Sequence, residues 1–569
     1  MKIGLIGEDD VAAGFHRQLA VTNFEITERS ARSIQSTDDV IVLTPGALGE
    51  LEVVNSSICE TKQSLLLVQP EGVGSATLPD VTFSITLLSG AGPCLNCLNH
   101  RLAAAGAEES AQESRIQHRS VAQFAGVMAA HLLSSQPTRE GGWIWTWPYS
   151  ERRVWPIPGC AECDPHATDR WAPPPTEGTS RSLAEALSKA EESIDRHVGI
   201  VTEIGEVASY PAPYYLAVVG DTAGFSDVEA PRHAAGLSHD WNVAYMKAVG
   251  EGLERYAAGV YREDWMTVGH PEDIEGAIHP DRFVRPDTWG EVTEPIPWIP
   301  GESLQTGEHC YLPAETCVFP PPSRQIRPAI TTGLGLGNTG QEAILSGLLE
   351  VIERDACMLA WYSSFEPLGI SVDTDAYNEL APRVQSEGLE ISTVLLTQDI
   401  DIPVIAVAVH RDDKWPRIAL GSAAAIDPAD AAISALCEAI QNWRELSDIG
   451  ESRADETSGW IGQYAANPTN VRQFFDVEGG VDVQQLSDQS NRDPLELVKE
   501  RVVAAGLEAY VAWLTPRDIR SLGFEAVRVV IPEAQPLFID TPYFGKRLET
   551  VPPSLGFEQH PTGDPHPFP

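Results

Sequence analysis

The chain has 569 residues, with 39 Lys plus Arg against 82 Asp plus Glu and a formal net charge of −43. Domains of about 100 to 200 residues give two to four units, and a field this negative repels nucleic acid and anionic membrane, which excludes both as nonspecific partners. Only seven of the cations are lysines, a halophile-like surface tolerable where molar salt shortens the Debye length to about 3 Å.

The first residues, MKIGLIGEDD, lack the basic and apolar regions of a secretory signal. No apolar run reaches the roughly 18 residues of a membrane helix, so a cytoplasmic location is expected. In a reducing compartment nine cysteines read as metal ligands or packed side chains before disulfides.

Residues 1 to 92 alternate apolar strands with loops: Lys2-IGLIG, Asp39-VIVLTPG, Ser64-LLLVQP and Val81-TFSITLL. The pattern predicts a small α/β layer. Gly4 and Gly7 mark a tight turn after the first strand without completing a dinucleotide-binding fingerprint. A helix is predicted from Ser114 and a strand over Trp143-IWTWPYSERRVW. The Pro, Thr, Ser and Gly-rich segment 164–182 predicts a linker. Residues 183–569 read as one large α/β unit that includes an acidic, weakly periodic stretch from Glu451 to Asp482.

Two Cys-x-x-Cys pairs, Cys94 with Cys97 and Cys160 with Cys163, predict a tetrathiolate. Zn²⁺ favours four tetrahedral sulfurs at about 2.3 Å, and a closed set of four leaves no open position, so the site is expected to be structural. Cys59, Cys310, Cys317, Cys357 and Cys437 show no such pairing and read as packed side chains.

Three helical blocks follow. In Ala244-YMKAVGEGLERY, Glu251 and Glu254 oppose an apolar face of Met246, Val249, Leu253 and Tyr256; alone, this is an ordinary amphipathic helix. In Gly333-LGLGNTGQEAILSGLLEVIERDA, a helical projection puts Asn338, Glu342, Glu350 and Glu353 on one stripe of about 120°. Like charges about 4 Å apart cost on the order of 4 kcal/mol at an effective dielectric of 20, so the stripe is in water or neutralised by cations. Gly333, Gly335 and Gly337 precede it and suggest a helix N-terminus that holds phosphate, with Mg²⁺ bridging phosphate and carboxylate. The third block, Ala431-AISALCEAIQNW, sets Glu438 three residues before Gln441.

Together these blocks resemble the YcaO family, with its ExxER helix, its glycine-rich segment and N…E…ExxER helix, and its later ExxQ helix, here Glu251-GL-Glu254-Arg255, Asn338…Glu342…Glu350-VI-Glu353-Arg354 and Glu438-AI-Gln441. No P-loop competes for nucleotide. The resemblance implies that Glu251, Glu254, Glu342, Glu350, Glu353 and Glu438 hold Mg²⁺, while Arg255, Gly335, Asn338, Glu342, Arg354 and Gln441 contact ATP. Departures are Gln441-Asn442-Trp443 where the family often has Gln-Ser-Arg, and Ala235 at a position often occupied by Lys.

The end, Pro565-His-Pro567-Phe-Pro569, resembles the PxPxP terminus of azoline-forming members, and Pro-rich chain is stiff enough to thread into a site. The α-carboxylate of Pro569 is the implied base. The cysteine knuckles resemble the zinc-bearing, ThiF-like domain that accompanies such cyclodehydratases. The expected organisation is therefore α/β throughout: a ThiF-like zinc domain at 1–163, a linker at 164–182 and an ATP-binding YcaO domain at 183–569. The expected reaction is ATP-dependent cyclodehydration of Cys, Ser or Thr in a ribosomally made peptide. Thioamidation and a noncatalytic peptide-binding scaffold are the alternatives. A separate leader-binding protein is expected because the chain begins directly at a strand, and a flavin oxidase and a homodimeric assembly are the other expected partners.

Overall fold

The computed structural model describes every residue except 21, 79, 91, 109–115, 136–140, 165–169, 175–178, 457–458, 478, 487–491, 540 and 562–564. Its architecture is mixed α/β, as expected. The predicted N-terminal layer is a seven-stranded sheet of β1 (Lys2–Ile6), β2 (Glu25–Glu28), β3 (Val40–Leu43), β4 (Ser64–Pro70), β7 (Phe83–Leu88), β8 (Gly142–Trp147) and β9 (Ser150–Val154), in the order β2-β1-β3-β4-β7-β8-β9, with a small ribbon β5 (Gly72–Val73) and β6 (Ala76–Thr77). Its first four strands are parallel and the rest antiparallel. Helices α1 (Asp10–Leu19), α2 (Leu51–Thr61), α3 (Leu95–Ala104) and α4 (Arg119–Ser135) accompany it. Ser114, where that last helix was expected to begin, lies outside the described residues.

The aromatic run over 143–155 forms a hairpin, β8 and β9, instead of one strand. Pro148 lacks the N–H that a continuous ladder needs, and the chain turns there. The expected linker also differs at its centre: Arg170 and Trp171 are buried, while 165–169 and 175–178 lie outside the described residues. One core runs from Cys94, Cys97 and Trp155 to residues further along the chain such as Leu253 and Tyr256, so apolar packing shows no seam at 163.

After α5 (Leu183–Glu191) comes an antiparallel sheet of β10 (Val201–Ala208), β11 (Tyr214–Val219) and β12 (His233–Leu237), backed by α6 (Trp241–Gly259). Strands β13 (Thr267–Gly269), β14 (Ile296–Ser303), β15 (His309–Pro313) and β16 (Leu334–Gly337) lead to α7 (Gly340–Trp361). A further sheet holds β17 (Leu368–Ser371), β18 (Glu390–Leu395), β19 (Val404–His410), β20 (Ile418–Ala424) and β21 (Val481–Asp482), with α8 (Asp375–Ser386) and α9 (Pro428–Ile449). Short helices α10 (Ile461–Ala466), α11 (Thr469–Phe475) and α12 (Pro494–Ala504) precede β22 (Tyr510–Trp513), α13 (Arg517–Leu522) and β23 (Glu525–Val530). The sheet order β13-β14-β22-β23-β16, with β15 on β14, places β16 beside late strands. Among the described residues no helix is long and apolar enough to cross a membrane.

One device recurs at β12–α6, β16–α7 and β20–α9. Each strand carries a glycine, Gly236, Gly335 or Gly421, pressed on the backbone of the helix that follows. A Cβ there would meet Ala244 O at 2.3 Å, Ala343 O at 2.1 Å and Ala435 O at 2.3 Å. Only a missing side chain lets strand and helix approach so closely, and the consequence is that each strand's peptide groups reach the helix's polar side chains.

Candidate active site

The three helices deliver three glutamates to backbone N–H groups in β12, at the turn into β16 and in β20. Glu251 of α6 accepts from Ala235 N at 2.7 Å, Glu350 of α7 from Gly333 N at 3.0 Å, and Glu438 of α9 from Ser422 N at 2.7 Å. Each carboxylate is thus held by one backbone N–H, and lone pairs beyond those used by that N–H, and in Glu251 by Arg255, are left for a ligand. Glu254 and Glu353 follow one turn on. Glu353 accepts from Ser422 Oγ at 2.7 Å and is 8% exposed.

A cavity of about 460 Å³ is lined by Glu251, Glu254, Glu350 and Glu438, by Arg255, Arg354 and Gln441, by the loop 329–332, and by Trp460, His566 and Pro569. Burial, then Glu350 and Glu251, pushes Glu254 up to about 8. Burial, with Glu438 adding repulsion and Arg354 opposing it, pushes Glu353 up to about 8. Burial likewise raises Glu251 and Glu438. Two cations answer this charge. Arg255 Nη2 lies 2.5 Å from Glu251 and donates from Nη1 to His233 O at 2.7 Å. Arg354 is 3.6 Å from Glu353 and 3.7 Å from Glu438, and those acids outweigh its burial and raise its pKa.

Four carboxylates line the cavity against two guanidiniums, with Glu353 buried behind Ser422. That donor set fits hard cations. Among the described residues the glutamates do not form a group with all ligand atoms within metal-sharing distance of one another, which suits Mg²⁺ shared with polyphosphate oxygens better than an all-protein cage.

The final residues occupy one wall. Arg354 Nη1 donates to Pro569 O at 2.7 Å, Tyr464 Oη donates to Pro565 O at 2.5 Å, and His566 and Phe568 are buried. Gly335, Asn338 and Glu342 stand elsewhere. Glu342 accepts from Asn338 N and Nδ2 at 2.9 Å and from Ser180 Oγ at 2.7 Å, at the N-terminal end of α7. A rise of about 1.5 Å per residue puts it about 12 Å along the axis from Glu350. The helical projection merged them because it discards the axial coordinate. The glycine-rich segment is also strand β16, paired with β23, and not a phosphate-holding loop, while the first turn of α7 is capped by Thr339.

The YcaO family description, "YcaO cyclodehydratase, ATP- and Mg²⁺-binding", matches residues 235–535, more than half of the chain. The chain belongs to the YcaO family. Two relatives of this YcaO protein are uncharacterised. One, from Methanothermobacter thermautotrophicus, is 29% identical over 325 residues, 54% of this chain and 82% of that protein. The other, encoded in the tfuA 3′ region of Rhizobium leguminosarum bv. trifolii, is 28% identical over 272 residues, 43% of this chain and 62% of that protein. Among solved structures, a heterocyclase in complex with substrate and cofactor superposes with TM-score 0.71 at 19% identity, covering 99% of this chain and 85% of that one. The heterocyclase TruD gives 0.62 at 20% identity, covering 98% and 82%. YcaO from Methanopyrus kandleri, bound with AMPPCP and Mg²⁺, gives 0.51 at 25% identity, covering 63% and 92%.

In this YcaO chain the stretch 451–482, read from sequence only as acidic, supplies Trp460 and Ile461 to the cavity and Tyr464 to the tail. Arg528 was also missed. Its Nη1 and Nη2 hold Thr331 O at 2.9 Å and Ile330 O at 3.0 Å, and so shape the 329–332 wall. A readable signal existed for the peptide anchors: Gly236 precedes Glu251 by the same interval as Gly335 precedes Glu350.

The four cysteines meet as the spacing requires. All four sulfurs lie within 4.8 Å of one another, with Cys94–Cys97 at 3.9 Å, Cys94–Cys160 at 3.6 Å and Cys97–Cys163 at 3.4 Å. A tetrahedron with metal–sulfur bonds of about 2.3 Å has edges of about 3.8 Å, so the set fits Zn²⁺. The hydrogen bond to Cys160 pushes the Cys94 thiol up to about 12, and burial raises Cys97; a cation would release both protons. Cys59, read as a packed side chain, is half-buried and borders the cluster beside Cys94 and Cys163.

Proposed function

We propose that this YcaO protein is an ATP-dependent cyclodehydratase that converts Cys, Ser or Thr of a ribosomally made peptide to azolines. The observation that carries this reading is the contact between Arg354 and Pro569, which sets the chain's last residue in the carboxylate cavity. The heterocyclases named above have this overall fold, and the Methanopyrus protein supplies the precedent for a triphosphate analogue with Mg²⁺.

In the proposed reaction a side-chain thiol or hydroxyl attacks the preceding carbonyl carbon. The resulting oxyanion takes the γ-phosphoryl group of ATP, and the C–O bond then breaks to release phosphate and leave the C=N bond of the azoline, with ADP as the other product. Glu251, Glu254, Glu350, Glu353 and Glu438 would hold Mg²⁺, which neutralises charge on the transferring group. Arg354 and Arg255 complete that neutralisation, and Gln441 orients the nucleotide. The α-carboxylate of Pro569, positioned by Arg354, takes the proton lost by the nucleophile or the amide. Glu342, about 12 Å along α7 from Glu350, is assigned with Asn338 and Gly335 to the nucleoside end. Cys94, Cys97, Cys160 and Cys163 hold structural Zn²⁺ in a ThiF-like region over 1–163 that engages the peptide.

The test is incubation of the protein with ATP, Mg²⁺ and a Cys/Ser/Thr-rich peptide, followed by mass spectrometry. A loss of about 18 Da per ring supports cyclodehydration, a gain of about 16 Da per site would instead mark thioamidation, and no change with ATP intact would mark a scaffold.

A further inference from the structure

A second cavity, of about 370 Å³, is lined by Arg170, Arg517, Arg520, Trp265, Asp164 and Ser521, together with neighbouring Pro and Thr residues. It shares no residue with the carboxylate cavity. Three guanidiniums line this one cavity of a chain whose net charge is −43.

Arg170 is 5% exposed. Its Nη2 donates to Ala257 O in the last turn of α6, and among the described residues Nε and Nη1 are buried without a hydrogen-bond partner. Asp518, the carboxylate whose charge it feels most, is already bonded to Arg101 and Tyr256. The guanidinium lies over the Trp171 ring at 4.8 Å, and Arg170 lines the cavity. Burial pushes its pKa down to about 10. Arg520 donates to Ala172 O at 3.2 Å, while its Nε stands 3.7 Å from Glu525 without a hydrogen bond. Arg517 donates to Cys163 Sγ at 3.8 Å, which ties the cavity to the cysteine cluster. Asp164, the acid in the lining, accepts from Gly159 N at 3.2 Å.

A buried cation with unmet donors is costly unless an anion completes it, and a planar guanidinium fork matches the oxygens of a carboxylate or phosphate. We propose that this cavity is an oxyanion-binding site, taking the carboxylate or phosphate group of a small ligand on Arg170 and Arg520, with Trp265 beside the ligand's apolar part. Arg170 is bonded to Ala257 at the end of α6 and Arg517 to Cys163, so the lining is tied to that helix and to the cysteine cluster.

Thermal-shift titration and calorimetry of the full chain, without Mg²⁺ or nucleotide and at constant ionic strength, test this with inorganic phosphate and with glutarate. The expected result is saturable stabilisation by at least one of them, and the stronger of the two names the preferred group. Affinity should fall at least tenfold in Arg170→Met and in Arg520→Gln and persist in Arg354→Gln, which alters the other cavity. Without anions Arg170→Met should melt higher than the parent, because it removes an unmatched buried charge. No stabilisation by either probe, a response lost in Arg354→Gln, or a response unchanged in Arg520→Gln overturns the assignment. If Arg170→Met does not fold, Arg520→Gln alone decides.

Discussion

Arg354 Nη1 and an oxygen of Pro569 are 2.7 Å apart, and the same guanidinium lies within 4 Å of Glu353 and Glu438. One cation therefore joins the tail to the carboxylates. Phe568, 2% exposed, is the tail's apolar anchor and packs edge-on to Trp361. Truncating a buried Phe costs about 3 to 5 kcal/mol, here charged mostly to docking of a short segment. Phe568→Ala is expected to lower ring formation more than tenfold in the peptide mass assay while changing Tm by only a few degrees. Full activity in that variant would remove the tail from the reaction.

His566 gives the tail an acid limit. Its ring is buried against Phe538 and burial lowers its pKa to about 4, from an ordinary value of 6.5. Between those values the released tail binds a proton and the docked tail does not. Docking is therefore complete above pH 6.5 and weakens as pH falls toward 4, by about 3 kcal/mol in all. Protection of the His566 and Phe568 amides, taken relative to intrinsic exchange at each pH, should fall as pH drops across that window in the parent and stay flat in His566→Gln.

Glu254 runs the other way. Its ordinary carboxylate value of 4.5 is raised to about 8, so between these the unfolded chain has lost a proton that the folded chain keeps. The stability tied to the protonated group is complete below pH 4.5 and is lost as pH rises through 8. Without ligand, Glu254→Gln should melt higher than the parent, and the gain should grow from pH 6 to pH 8.5, up to a few kcal/mol. Binding of Mg²⁺ with nucleotide needs the charged form, so parent affinity should increase with pH over the same interval, with proton release visible by calorimetry in buffers of different ionisation heat. Glu353→Gln should abolish ATP turnover with zinc content unchanged.

Much of this was legible in the sequence because the reporting residues are local. Cys94 and Cys97 share one turn, as do Glu251 and Glu254, and each pair's spacing dictates its geometry. The strands Val40–Leu43 and Ser64–Pro70 announce themselves by buried apolar runs. Long-range joins were not legible. Nothing in the Trp460 segment signals that it walls a cavity with Glu254, and nothing near Arg170 in a Pro-rich stretch signals burial, since both depend on which distant elements pack together. Glu342 misled for a different reason: angular periodicity identifies a helical face but not a height along it.

The cysteine cluster, with zinc bound as proposed, should be felt at the carboxylate helix. Cys94, Cys97 and Cys160 belong to the same core as Val249, Leu253 and Tyr256 of α6. Cys160→Ser, or removal of metal by a strong chelator, is expected to reduce zinc from one equivalent to none and to weaken Mg²⁺-nucleotide binding at least severalfold, as a domain-independent structural zinc would not. Atomic absorption and nucleotide titration on the same samples check it.

A buried triad provides the mechanical link for that effect. Arg101, four residues beyond Cys97, donates to Asp518 of α13 and to Tyr256 Oη of α6 at 3.2 Å, and Tyr256 Oη donates to Asp518 Oδ2 at 2.5 Å. Arg101 and Asp518 are 1% and 0% exposed, so neither charge can fall back on water. Breaking one partner of such a pair costs about 3 to 5 kcal/mol because the other charge is left stranded. Asp518→Asn keeps the shape and one acceptor but strands Arg101, and Tyr256→Phe removes only the bridging hydroxyl. Chemical denaturation should show the first losing several kcal/mol and the second about 1. Because Tyr256 follows Glu254 by two residues, both variants should also raise the nucleotide concentration needed for half-maximal turnover. Equal stability in Asp518→Asn and the parent would mean that the pair is solvated and that the cysteine region and α6 are not coupled through it.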